Sequence, residues 1–161
     1  MRLFGVALAL LAALLLQTAL TRVLPGQARV FDPFLLVMVY YGLAGGENQG
    51  MLVGALGGWI QDIQFGGTVL GLTGLARVLV GYAVGMAGTR FHLSEPAPRG
   101  LVLFLAALAD TLVFAALASA FDVGVTRLTP LDMLLRAGVN ATAGVVLFEL
   151  VDRQLGRLRR A

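Results

Sequence analysis

Few residues in this chain are of the types that carry out catalysis or bind metal ions. The sequence has no cysteine and a single histidine, His92, so it offers neither thiolate ligands nor the sets of histidines that zinc sites use. The zinc-protease pattern H-E-x-x-H, the serine-hydrolase pattern G-x-S-x-G and the phosphate-binding P-loop are also missing. We therefore predict a protein that is not an enzyme and that holds no metal ion and no cofactor.

Three charged residues are the strongest candidates for function, because each lies inside a long apolar stretch: Arg77, Asp110 and Arg136. Charges are costly in hydrocarbon, so such residues usually face a bundle interior and form pairs, or else serve in transport or proton relay. At about 1.5 Å per residue, Asp110 and Arg77 reach nearly the same depth. We predict that Asp110 pairs with Arg77, that Arg136 is a second partner, and that Asp132 offers Arg136 a local partner one helical turn away.

The three charges lie on predicted transmembrane helices. Of the 161 residues, 58% are hydrophobic and 13% are charged, which is far from the balance of a soluble domain. Six crossings of about 20 residues each would use most of the chain. We predict an all-α integral membrane protein with one domain, residues 1–161, folded as a six-helix bundle. The expected helices cover about 3–20, 33–46, 48–65, 69–88, 100–121 and 130–151.

The second and third helices are short for membrane spans. Residues 33–46 would reach only about 21 Å, whereas the hydrocarbon core is about 30 Å thick. The two helices therefore form either a tilted short pair or a re-entrant hairpin. Asp32 is predicted to cap the second helix, with Pro33 at its first position. Thr129 and Asp132 are predicted to form a capping box at the start of the sixth helix.

The positions of the arginines, which are the only basic residues besides His92, predict the orientation in the membrane. With the N-terminus inside, seven arginines lie on the cytoplasmic side and three lie in outer loops, so the positive-inside rule predicts that both termini are cytoplasmic. The inner set is Arg2, Arg90, Arg99, Arg153, Arg157, Arg159 and Arg160, and the outer set is Arg22, Arg29 and Arg127. The basic tail also suits anionic lipid head groups, and no nucleic-acid partner is expected.

A stripe of small residues runs along the third helix. Its members Gly46, Gly50, Gly54, Gly58 and Asp62 are spaced by four, so all of them lie on one face of the helix. Gly81 and Gly85 repeat the spacing in the fourth helix. Small residues at this spacing let two membrane helices approach closely. The stripe therefore predicts a packing surface, either inside the bundle or against a partner helix. We favour internal packing for Gly54 and Gly58 and leave Gly50 open.

The stretch from Gln17 to Gly85 resembles the MreD rod shape-determining proteins of bacteria. The resemblance rests on the order of several elements: Leu16-Gln17-Thr18, then Asp32-Pro33 and Tyr40, then the glycines Gly50, Gly54 and Gly58 leading to Asp62, then Gly66-Gly67 to Gly71, and finally Val80-Gly81-Tyr82. The family more often has Pro-Asp where this chain has Asp-Pro. We therefore expect Asp32 to act as a helix cap and assign it no further role.

The resemblance implies a part in the machinery that inserts peptidoglycan along the side wall of rod-shaped cells, in the bacterial inner membrane. It implies direct binding to MreC, which has a single membrane helix, and indirect coupling to MreB, RodA and a class-B penicillin-binding protein. It also implies a fold similar to that of the substrate-binding subunits of energy-coupling-factor vitamin transporters.

Two functions of different classes follow from the sequence. The first is a non-enzymatic membrane scaffold of the MreD type, with its partner helices and membrane lipid as ligands. The second is a substrate-binding subunit of a vitamin transporter, in which Asp110, Arg77 and Arg136 would surround a pocket at the middle of the membrane. The outer loops are short and apolar for a lid over such a pocket, which favours the scaffold.

Overall fold

The computed structural model describes residues 2–24, 26, 30–65, 69–91, 96–124 and 129–158. These residues contain no strand and form six α-helices, which confirms the predicted all-helical fold with six helices. In chain order the helices are α1 (Arg2–Val23), α2 (Pro33–Gly45), α3 (Glu47–Phe65), α4 (Leu72–Arg90), α5 (Pro96–Ala120) and α6 (Pro130–Leu158). Gly66, Gly67 and Thr68 between the third and fourth helices, and the arginines Arg29, Arg127, Arg159 and Arg160, lie outside the described residues.

Four of the helices are long and apolar enough to span a membrane. The apolar stretches are Phe4–Val23, Leu72–Arg90, Ala97–Ala120 and Pro130–Gln154, in α1, α4, α5 and α6. Helix α2 is apolar but has only 13 residues, or about 20 Å of helix. Helix α3 has 19 residues and is less apolar, since it carries Glu47, Gln61 and Asp62. The chain is therefore a multi-pass membrane protein in which α2 and α3 are the unusual pair.

Two helix starts differ from the predicted ones. We expected Pro96 and Pro98 to lie in a loop, but α5 begins at Pro96 and includes both. Proline is compatible with the first turn of a helix because the N–H groups there have no partner within the helix. Helix α4 begins at Leu72 rather than near Val69, because Gly71 before it has a positive φ of 92°. Glycine adopts this left-handed conformation without a steric penalty, and Gly71 therefore ends the turn that precedes α4.

Helix α2 lies at the centre of the bundle. Its apolar side chains Phe34, Leu35, Leu36, Met38 and Val39 are almost fully buried. Helices α3 and α4 pack against one side of α2, α1 packs beside it, and α5 pairs with α6 and contacts α4. The N-terminal half of this short helix is therefore surrounded by protein, whereas Ala44 and Gly45 at its C-terminal end are exposed. The outward faces of the longer helices carry large exposed apolar residues, as expected for surfaces in contact with lipid.

Candidate functional site

Four charged side chains from four parts of the chain meet inside the bundle. Asp32 precedes α2, Arg77 lies on α4, Asp110 on α5 and Arg136 on α6. Arg77 donates a hydrogen bond from Nη2 to Asp32 Oδ2. Arg136 Nη2 donates to the same oxygen at 3.1 Å. Arg77 is only 1% exposed and both carboxylates are buried, so these charges compensate one another within the protein.

Asp110 is held less directly than Asp32. Arg77 Nε lies 3.6 Å from Asp110 Oδ1, and Arg136 Nη2 lies 3.7 Å from Asp110 Oδ2. These distances suit ionic attraction but are too long for hydrogen bonds. Asp110 Oδ1 and Arg77 Nε have no hydrogen-bond partner among the described residues. The structure thus brings together the three charges singled out in the sequence and adds Asp32, which takes the shorter contacts.

Asp32 combines two roles: the predicted helix cap is confirmed, and the same side chain also pairs with two arginines, which was not predicted. Its Oδ1 accepts a hydrogen bond from the Leu35 backbone N–H at 3.1 Å, which caps α2. Its Oδ2 accepts the hydrogen bonds from both arginines, so the same carboxylate joins α2 to α4 and α6. The two roles are compatible because a carboxylate has two oxygens, and each can accept more than one hydrogen bond. Pro33 follows at the first helical position and is buried.

The local pairing expected between Asp132 and Arg136 was also wrong. Asp132 Oδ2 accepts hydrogen bonds from the Thr129 backbone N–H at 3.1 Å and from the Thr129 hydroxyl at 2.6 Å. Thr129 Oγ1 accepts in return from the Asp132 N–H at 3.2 Å, and the two residues form the predicted capping box. Asp132 is exposed, whereas Arg136 turns inward to the two buried carboxylates, whose attraction is less screened by solvent.

Asn140 supports the cluster one helical turn after Arg136. Its Oδ1 accepts a hydrogen bond from the Asp32 backbone N–H at 2.9 Å. Its Nδ2 donates to the carbonyl oxygens of Val30 and Arg136, each at 2.7 Å. The side chain is fully buried. Asn140 therefore satisfies the non-helical backbone that leads into α2, which would be costly to leave unpaired inside a membrane.

A second polar contact joins α2, α5 and α6 toward the other end of α2. Asp152 Oδ2 accepts a hydrogen bond from Arg99 Nη1 at 2.6 Å, and Asp152 Oδ1 accepts one from the Tyr40 hydroxyl at 3.3 Å. The Tyr40 ring also packs edge-on against Phe148, with ring centroids 5.1 Å apart. No role was predicted for Asp152 from the sequence. Its position four residues from Phe148 on the same helix face was the available signal.

The glycine stripe of α3 packs against α4. A Cβ on Gly54 would lie 2.5 Å from the Arg77 carbonyl oxygen, and one on Gly58 would lie 2.6 Å from Gly74 Cα. Gly50 contacts the Gly81 backbone in the same way, and a Cβ on Gly85 would lie 2.5 Å from Glu47 Cα. The two helices are thus in backbone contact along most of their length. We call this contact the glycine seam, defined by Gly50, Gly54, Gly58, Gly74, Gly81 and Gly85.

Asp62, the last member of the α3 stripe, caps α4. Its buried Oδ2 accepts hydrogen bonds from the backbone N–H groups of Gly71 at 2.9 Å and Thr73 at 3.1 Å. Gly71 occupies the N-cap position and has no side chain with which to cap the helix. Asp62 therefore supplies the missing acceptor from a neighbouring helix, and its negative charge also suits the positive end of the α4 dipole.

Comparison with known families decides what this bundle is. The family described as rod shape-determining protein MreD matches residues 1–135. The chain belongs to the MreD family. Membership gives it a role in rod shape determination, as part of the shape-determining machinery that includes other Mre proteins. The family is one of structural proteins and is not known as a family of enzymes. Comparison with curated proteins and with solved structures gives no match.

The MreD resemblance and the glycine seam involve the same part of the chain. Gly50, Gly54, Gly58 and Gly81 build the seam, and Asp62 caps the helix across it. Val80 is buried next to the seam, but Tyr82 points outward and is 47% exposed. Gly66 and Gly67 lie outside the described residues. Most of the recognisable pattern thus serves the α3–α4 contact, whereas Tyr82 does not.

Proposed function

We propose that this chain is a non-enzymatic membrane scaffold of the machinery that inserts peptidoglycan along the side wall, and that it binds MreC directly. The observation that carries the proposal is the MreD family match over residues 1–135. MreB, RodA and a class-B penicillin-binding protein are the wider partners, coupled to this chain through MreC. The membrane is the bacterial inner membrane.

The arrangement of polar groups supports a scaffold. Arg77, Asp110, Arg136 and Asp32 are directed at one another and neutralise one another. A vitamin-binding subunit would instead turn such charges toward a pocket, so no specific observation favours that alternative. The exposed surface of the spans is largely apolar, which suits contact with lipid and with other membrane helices.

The glycine seam limits the surfaces of the bundle to which a partner helix can bind. Gly50, Gly54 and Gly58 are in contact with α4 and are buried. A partner helix cannot use this face unless α3 and α4 separate. We therefore assign MreC binding to an outward face of the bundle rather than to the stripe, and we propose that Gly50 packs internally, as Gly54 and Gly58 do.

We also propose that both termini are cytoplasmic, on the strength of the seven-to-three arginine distribution. The charge cluster then lies in the outer half of the bundle, and the contact between Tyr40 and Asp152 lies in the inner half. Reporter fusions after residue 161 and within residues 21–32 should report opposite sides of the membrane. Reports from the same side would contradict this orientation.

The scaffold proposal is tested by joint measurement of binding and cell shape. The chain is expressed in a rod-shaped bacterium whose own MreD is depleted, and cell width and co-purification with MreC are measured. We expect rods and a stable complex with MreC. A Gly138→Ala variant should behave like the unmodified chain in both measurements, since a Cβ there meets nothing within 4 Å. Restored rods without MreC binding would contradict direct binding, and round cells despite normal membrane expression would contradict the shape role.

A further inference from the structure

Tyr82 places a hydroxyl group where lipid cannot satisfy it. It lies on α4, ten residues after Leu72 and eight before Arg90, so its Cα is about 15 Å and 12 Å from the two ends of the helix. Side chains of a helix tilt toward its N-terminus, which keeps the hydroxyl near the middle of the span. The side chain is 47% exposed, and the hydroxyl has no hydrogen-bond partner among the described residues.

The Tyr82 hydroxyl, near the middle of the span, has few possible hydrogen-bond acceptors. The tyrosine side chain is too short to reach either head-group region from the middle of a bilayer about 30 Å thick. Acyl chains offer no acceptor, and a hydroxyl without a hydrogen bond in an apolar medium is strongly disfavoured. Exposed threonines of the bundle solve the problem internally, as Thr142 does by donating to the Gly138 carbonyl. Tyr82 has no such acceptor within its own helix.

The surroundings of Tyr82 form a surface on which a helix can lie. Helix α2 packs on one side of the α3–α4 pair, where Gly42 lies against Gly50 and Val84. By their helical positions, Leu52, Ala55 and Trp59 of α3 and Leu75, Val78 and Tyr82 of α4 lie on the opposite side. Ala55 and Val78 are half-buried beside the seam, and the four larger residues around them are exposed. We call these six residues the α3–α4 outer face.

We propose that the α3–α4 outer face binds a transmembrane helix of a partner protein, and that the Tyr82 hydroxyl donates a hydrogen bond to an acceptor on that helix. The acceptor is a side-chain or backbone oxygen at the middle of the membrane, which a helix with a serine, threonine, asparagine or glutamine at that level provides. Identification of this partner as MreC rests on the proposed function.

A second copy of this chain fits the surface less well than a different helix. In a symmetric pair formed through this face, the two Tyr82 hydroxyls would meet. One hydroxyl could donate to the other, but the second hydrogen would still lack an acceptor. A partner helix with its own acceptor satisfies the hydroxyl completely. The small residue Ala55 at the centre of the face also allows the close approach on which helix association in membranes depends.

The first experiment locates the partner by photo-crosslinking in intact membranes of cells that contain MreC. A photoreactive amino acid replaces Leu75 or Leu52 on the outer face, or Leu112 on the exposed face of α5 as a control. We expect crosslinks to MreC from positions 75 and 52 and none from 112. Crosslinks to a second copy of the chain, or no protein crosslink from either position, would overturn the proposal.

The second experiment removes only the hydroxyl. Tyr82→Phe should leave the melting temperature unchanged, because the hydroxyl makes no hydrogen bond among the described residues. The same change should weaken binding to MreC about threefold, and at most about eighteenfold. Tyr41→Phe is the control, since Tyr41 lies near the end of α2 beside Gly5 of α1. Unchanged binding of the Tyr82→Phe protein would overturn the hydrogen bond. If the unmodified protein does not bind MreC at all, that result contradicts the proposed function rather than the docking surface. In that case, crosslinks from positions 75 and 52 to another membrane protein would still support the α3–α4 outer face as a docking surface.

Discussion

Replacement of Gly54 by alanine tests whether backbone contact between α3 and α4 holds the bundle together. The added Cβ would lie 2.5 Å from the Arg77 carbonyl oxygen, 2.9 Å from the Arg77 carbonyl carbon and 3.1 Å from Met38 Sδ. Ordinary contact begins at 3.4 Å, so the helices must part locally by about 0.9 Å. The nearest atoms belong to the backbone of a packed helix and cannot rotate away. Movement of α4 at Arg77 would also shift a member of the charge cluster.

The expected loss of stability follows from two opposing contributions. Overpacking of this kind costs about 1–3 kcal/mol, and alanine regains up to about 1 kcal/mol of helix propensity relative to glycine. With the full propensity gain the net loss is up to about 2 kcal/mol, which corresponds to a fall of up to about 8 °C in melting temperature for a chain of this size. Gly138→Ala supplies the matched comparison, because its Cβ meets nothing within 4 Å and only the propensity gain remains.

The assay is thermal unfolding of the purified proteins in one detergent, followed by circular dichroism of the helices. We expect the melting temperature to fall for Gly54→Ala and to stay equal or rise for Gly138→Ala. If both variants melt at the same temperature as the unmodified protein, the glycine seam does not contribute the close packing inferred here. The bulkier Gly54→Leu change should prevent stable insertion, because the nearest atoms belong to the Arg77 backbone and no side-chain rotation can move them away.

Three further changes probe the polar network. Asp32→Asn should lower the melting temperature more than Asp110→Asn, because Asp32 accepts hydrogen bonds from two arginines whereas Asp110 makes only longer ionic contacts. Equal falls in melting temperature would contradict this ranking. Asn140→Ala should cost about 1–3 kcal/mol by stranding the buried Asp32 N–H, whereas Thr142→Ala on the exposed side should be nearly neutral in the same unfolding assay. Asp62→Ala should cost about 0.5–2 kcal/mol through loss of the α4 cap, and amide exchange at Thr73 should increase; unchanged exchange would refute the capping role.

The position of the charge cluster shows how far local reasoning extends. Arg77 and Asp110 could be matched by depth because each lies on a helix whose rise per residue is fixed. For Asp32 only a cap could be predicted, since a cap is a local contact, here between Asp32 and Leu35. The ion pairs of Asp32 reach residues 45 and 104 positions away. The spacing of residues along one helix does not indicate ion pairs between residues so far apart in the sequence.

The membrane fold, the four-residue glycine spacing and the capping box of Thr129 and Asp132 could be predicted from the sequence. The predicted helix bounds were correct to within four residues, except that α6 ends at Leu158 rather than near Val151. Each of these follows from composition or from the geometry of one helix. The sequence did not indicate that Gly50 faces α4, that Arg136 turns away from Asp132, or that Asp32 joins α2 to α4 and α6. The periodicity of a helix defines a face but not its neighbour, because the neighbour depends on how all six helices pack around α2 and on which buried charges must be neutralised there.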